Sequence, residues 1–129
     1  MTIEQLEQYR GITAEIKSLE AEINALYDVR KSPNGRTSGG GRSSPGDPTG
    51  NAAMRIIELR EQLRTEQNRW SDAVYSIETW LRTVQDSEVR SIIRWRYILG
   101  LSWKQTANQV YGTTEYWDAC RKRVRRFFR

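Results

Sequence analysis

The side chains able to do chemistry are concentrated at the carboxyl end. Residues 87–129 hold ten basic and three acidic side chains, net +7, whereas residues 1–31 carry −2, residues 32–50 +1 and residues 51–86 −1. The net charge of +5 over 129 residues therefore comes from one segment, and asymmetry of this kind points to a polyanionic partner. The candidate contact set for double-stranded DNA is Lys104, Thr113, Thr114, Glu115, Tyr116, Ala119, Lys122, Arg123, Arg125, Arg126 and Arg129. Cations in this set suit phosphates, and a helix presenting such a face meets base edges with it.

The same inventory argues against catalysis. The chain has no histidine, which removes Ser-His and Cys-His nucleophiles and most zinc sites. Its acidic residues recur at helical spacing and build no triad for a divalent metal. The glycine-rich tract is not followed by Gly-Lys-Ser/Thr, so no phosphate loop is expected there. Cys120 has no base partner and falls on an apolar helix face, as a core thiol in a reducing cytoplasm would. The expectation is a protein that is not an enzyme and takes no cofactor or metal.

The elements that must position these side chains are short helices. Ser102 and Gln105 form a Ser-x-x-Gln capping box that opens one of them. Trp103, Thr106, Ala107 and Val110 then share a face. Gly100 ends the helix before it, where a left-handed residue is wanted. That earlier helix starts at Asp86 or Ser87 and inserts Val89, Ile92, Ile93 and Trp95 or Tyr97. After Gly112, Thr113 and Thr114 can cap a third helix that runs to the C-terminus. At 100° per residue, Trp117, Cys120, Val124, Phe127 and Phe128 fall on one side of it. Glu115, Asp118, Ala119, Lys122, Arg125, Arg126 and Arg129 fall opposite. Helix, glycine turn, helix is the layout of a helix-turn-helix, whose second helix enters the major groove.

Residues 93–107, Ile93-Arg94-Trp95-Arg96-Tyr97-Ile98-Leu99-Gly100-Leu101-Ser102-Trp103-Lys104-Gln105-Thr106-Ala107, resemble the signature of phage-encoded helix-turn-helix regulators of the ArpU/RinA type. That family is in turn similar to region 4 of bacterial sigma factors. The closing Arg121-Lys122-Arg123-Val124-Arg125-Arg126-Phe127 resembles the ending of the same family. The chain departs from the family at Val110-Tyr111-Gly112, where a Leu-Gly-aromatic turn is usual. The resemblance implies a phage or prophage transcription regulator acting in the cytoplasm of a bacterial host, with RNA polymerase as a possible contact. A small terminase subunit, which joins a helix-turn-helix to an oligomerising hairpin, is the rival reading. A protein-only adaptor with an acidic partner is the third.

Upstream, the expected fold is an all-α, long antiparallel coiled-coil hairpin. In the first helix, Ile12, Ile16, Leu19, Ile23 and Leu26 alternate four-three spacing, the a/d pattern of a coiled coil. Residues 32–50, rich in Gly, Ser and Pro, are expected as a disordered link. From Asn51 to Asp86 a second stripe, Ala52, Ile56, Leu59, Leu63, Glu66, Trp70, Ala73, Ile77, Trp80 and Val84, keeps the same spacing and is broken only at Glu66. Ile57, Val74, Tyr75 and Leu81 widen that face beyond a two-helix seam, which predicts a homodimer. The domain division expected is 1–86 for the hairpin and 87–129 for a three-helix helix-turn-helix. No segment is long and apolar enough for a membrane span, and no secretory signal is expected.

Overall fold

The computed structural model describes residues 1–31 and 48–129. The expected disordered link lies outside the described residues over 32–47. Residues 48–50 are helical, so the second helix starts three residues earlier than expected. All secondary structure among the described residues is helical: α1 (Ile3–Lys31), α2 (Pro48–Leu81), α3 (Ser87–Ile93), α4 (Trp103–Tyr111) and α5 (Trp117–Phe127). One π-helical turn, Arg94–Ile98, extends α3, and one 3-10 turn, Thr114–Tyr116, precedes α5.

Local chemistry fixes most of these boundaries. Thr2 and Gln5 form a capping box at the start of α1: the Thr2 N–H donates to Gln5 Oε1 at 2.9 Å and the Gln5 N–H to Thr2 Oγ1 at 3.1 Å. A first helical turn has four N–H groups without intrahelical partners, and this box satisfies two donors. α2 stops at Leu81, five residues short of the expected Asp86. There the Thr83 N–H and hydroxyl both donate to the Trp80 carbonyl, at 2.8 and 2.7 Å. Asp86 belongs to the next helix. Its carboxylate accepts from the Glu88 and Val89 N–H groups at 2.9 and 3.2 Å, an N-cap for α3.

The Ser102–Gln105 capping box is present in both directions and opens α4. Among the described residues, Gly100 and Gly112 are the two with positive φ, at 76° and 79°, one before α4 and one closing it. Both positions need the left-handed conformation that glycine adopts without a Cβ clash. The third helix begins later than expected. Thr113 caps the 3-10 turn, its hydroxyl accepting from the Glu115 N–H at 3.2 Å, and regular α-helix starts only at Trp117.

The described residues form two compact units, one of Met1–Ala14 with Asn68–Arg129 and the other of Glu15–Gln67. In the first, α3 packs on α4 and α5, and α4 packs on α5. Its core takes Leu6 from α1, Ile77 and Leu81 from α2, then Val84, Val89, Ile92, Ile93, Tyr97, Ala107, Cys120 and Val124. Residues 87–129, expected as a separate domain, thus share this core with Leu6 and Ile77. Leu81, expected to widen a dimer face, is fully buried here. In the second unit, Leu19 and Ile23 of α1 meet Ile56 and Leu59 of α2, with Leu26, Tyr27 and Leu63 at the margin. Each fully buried aliphatic side chain stabilises its unit by about 1.5–3 kcal/mol.

Candidate nucleic-acid interface

α5 separates its two sides by packing. Cys120 and Val124 are buried, while Glu115 in the preceding turn, Ala119, Lys122, Arg126 and Arg129 form an exposed stripe at helical spacing. Beside that stripe lies a shallow, open depression lined by Arg121, Lys122, Arg125, Arg126 and Arg129. Five cations around one depression concentrate positive charge, the kind of surface that attracts polyanions without regard to sequence.

One carboxylate lies among them. Asp118 accepts from Arg121 at 2.7 Å and pairs with Lys122 at 3.2 Å. The hydrogen bonds from Arg121 and then Lys122 hold its carboxyl below the usual aspartate range. Arg125, Arg126 and Arg129 make no ion pair among the described residues.

Arg123 does not belong to this free set. Its guanidinium reaches the amino end of α3, 2.7 Å from Asp86 Oδ2 and 3.3 Å from Glu88 Oε2. The angular position of residue 123 on α5 turns it toward those carboxylates, so it ties α5 to α3. Glu88 also accepts a hydrogen bond from the Tyr111 hydroxyl, which adds the end of α4 to the same junction. Burial, followed by these contacts with Glu88, pushes the Tyr111 phenol well above its ordinary value. Cys120 is fully buried, and burial followed by the charge of Glu88 pushes its thiol up to about 11.

The remaining expected contacts are placed as follows. Lys104 is exposed in the first turn of α4, on a separate element from the stripe. Thr114 and Tyr116 are exposed in the 3-10 turn, with Tyr116 edge-on to Tyr111 at 5.9 Å. Thr113 is half-buried, its hydroxyl engaged by the Glu115 N–H. The apolar side of α5 is narrower than expected, because Trp117 and Phe127 are 37% and 40% exposed. Arg121 was not among the expected contacts, although it lines the depression and lies over the Trp117 ring at 6.0 Å. Its spacing of three from Asp118 was the available sign.

Among the described residues no helix is long and apolar enough to cross a membrane. Comparison with protein-family models, with curated proteins and with solved structures finds no match to this chain.

Proposed function

We propose that this chain is a sequence-specific DNA-binding protein of a phage or prophage, acting as a transcription regulator. In this reading α4, the turn at Gly112 and α5 are a helix-turn-helix with α5 as the recognition helix, and residues 1–86 are an antiparallel hairpin that self-associates. The observation that carries it is the depression lined by Arg121, Lys122, Arg125, Arg126 and Arg129 on a helix packed through Cys120 and Val124. A recognition helix needs that division, one side held by its domain and the other free for phosphates and base edges. Self-association is supported by Met54 and Ile57, one helical turn apart on α2 and 60% and 56% exposed.

The test is electrostatic. Lys122 and Arg126 stand one turn apart on the exposed stripe, and Arg121 remains to hold Asp118 when Lys122 is removed. Converting both to Ala flattens the plot of log affinity against log salt by about 1.8, at roughly 0.9 per phosphate contact. Circular dichroism stays at wild type. An unchanged slope with an intact fold would transfer the basic face to an acidic protein partner. A ring of many subunits in native mass spectrometry would favour a small terminase subunit over a regulator, for which a dimer is expected.

A further inference from the structure

Away from the α5 depression, a second set of donors lies where α1 meets the turn before α4. Arg96, in the π-helical turn, stretches over the Trp103 ring, 4.6 Å from its centroid, and donates through Nη1 to the Leu101 carbonyl at 3.0 Å. Its Nε is buried with no hydrogen-bond partner, and so is the Nε of Arg10 on α1. Thr13 follows Arg10 by one turn of α1. Its hydroxyl is buried without a partner too, and a Cβ placed on Gly100 would meet its methyl at 3.1 Å. This face of α1 therefore lies against the Gly100 turn, with Arg10 beside the segment that carries Arg96.

The electrostatics of this place are unfavourable as it stands. Burial first, and then the positive charge of Arg10, pull the Arg96 pKa down, while Glu7 opposes them to a smaller extent. Two guanidiniums brought together with buried unpaired N–H donors have a defined chemical remedy. A tetrahedral oxyanion supplies several acceptor oxygens and negative charge beyond that of Glu7, and guanidinium forks match phosphate geometry. α4 begins at Trp103, beneath the Arg96 guanidinium, so its amino-terminal dipole adds to the attraction.

We propose that Arg10 and Arg96 together bind one phosphate group of the DNA backbone, so that α1 takes part in DNA contact as well as in the core. The proposal rests on the DNA-binding reading above, in which α4 is the first helix of the helix-turn-helix, the helix that crosses the backbone. It assigns a second anchor, on elements other than α5, that fixes how the domain is oriented on a duplex.

The experiment compares wild type with Arg10→Gln, Arg96→Gln and the double variant in two measurements. One is the salt dependence of binding to a random duplex. The other is the thermal midpoint in inorganic phosphate against chloride at matched ionic strength. Each single variant lowers the salt slope by about 0.9, and the double lowers it by the same amount, because the two side chains share one phosphate. Inorganic phosphate raises the wild-type midpoint more than chloride does, and this difference is lost in Arg10→Gln. Arg10→Gln decides if Arg96→Gln fails to fold, since Arg96 also covers Trp103.

Wild-type slopes in Arg10→Gln, with no phosphate-specific rise in the parent, would overturn the site. A fall of about 1.8 in the double variant alone would overturn the shared phosphate. A phosphate-specific rise with unchanged slopes would overturn the DNA source and assign the site to free phosphate. If the wild type bound no duplex, the DNA-binding reading would fail. A phosphate-specific rise lost in Arg10→Gln would still support the anion site.

Discussion

The two compact units are built on the same two helices and the same four-three stripe, yet they differ in depth. In the unit of Met1–Ala14 with Asn68–Arg129, α3, α4 and α5 join α1 and α2, and Leu6, Leu81, Ile92 and Ile93 are fully buried. In the unit of Glu15–Gln67 the stripe has one partner helix. Leu59 and Ile56 are buried there too, at 0% and 2%, but the facing Leu19 and Ile23 keep 9% and 7% of their surface, and Met54 and Ile57 stand open. A heptad-like stripe therefore specifies which side of a helix faces a neighbour. How much surface it removes from water depends on how many elements converge there. Two helices alone make a seam, and a core needs a third layer of side chains above it.

The largest expected effect tests that difference directly. Ile92→Ala destabilises by about 2–5 kcal/mol, because its surroundings relax only partly around the cavity. Leu19→Ala falls at the low end of that range, since the seam around it already opens to water. Urea unfolding of both variants checks this, read at the midpoint with unchanged slope. An equal cost would mean that a second copy covers the seam in solution. Sedimentation of Met54→Lys with Ile57→Lys then shows whether those side chains hold the copies together.

The second effect concerns the junction that orients α5. Asp86→Ala removes both the cap on α3 and the partner of Arg123, whereas Asp86→Asn keeps a capping oxygen and loses the charge. The thermal midpoint should fall further for Ala than for Asn. The pH dependence has a defined sign. The Val89 N–H and then the Arg123 guanidinium hold the Asp86 carboxyl below the usual aspartate value. Its stabilising contribution is present above the unfolded value of roughly 3.9 and is lost as pH falls through the lower folded value. Below about pH 4 the wild-type midpoint should drop more steeply than that of Asp86→Asn.

These residues also show what could be read in the sequence. The Ser102–Gln105 box, the glycine turns and the buried side chains Val89, Ile92 and Ala107 follow from local rules, and the structure has them. The Thr2–Gln5 box obeys the same rule and was legible in the same way. A helical wheel failed where azimuth and neighbour part company. Trp117 and Phe127 have the azimuth of the packed side, but they sit at the ends of α5 and are covered only in part, Phe127 by an edge-on contact with the Trp80 ring at 6.1 Å. Arg123 has the composition of a phosphate contact. Asp86 and Glu88, 37 and 35 positions earlier, engage it across a fold that residue spacing does not encode. The end of α2 differs for a related reason: apolar periodicity continues to Val84, whereas after Leu81 the α-helical bonding gives way to three-residue turns, Thr83 N–H to the Trp80 carbonyl and Val84 N–H to the Leu81 carbonyl.

A smaller effect is expected at the fork between Glu78 and Arg94, where Nε and Nη2 donate to the two carboxylate oxygens at 3.0 Å each. Both side chains are more than a third exposed, at 39% and 45%, so solvent screening limits the pair. A double-mutant cycle with Glu78→Gln and Arg94→Gln should give a coupling of about 0.2–1 kcal/mol, near the upper end because the contact is bidentate.

The smallest effect is expected in the Glu15–Gln67 unit. Arg55 divides its guanidinium between Glu58 at 3.2 Å and Glu22 at 3.4 Å, and all three side chains are 45% or more exposed. Its pKa is raised chiefly by the hydrogen bond to Glu58, with Glu22 contributing less. Removing the weaker partner leaves the stronger one in place, and water solvates whatever is released. Glu22→Gln should therefore leave the thermal midpoint unchanged in low and high salt alike. A drop that disappears at high salt would show Glu22 acting in a less screened setting than its exposure indicates. A drop that grows with protein concentration would place a second copy over the seam, which is the cover that the shallow core of this unit otherwise lacks.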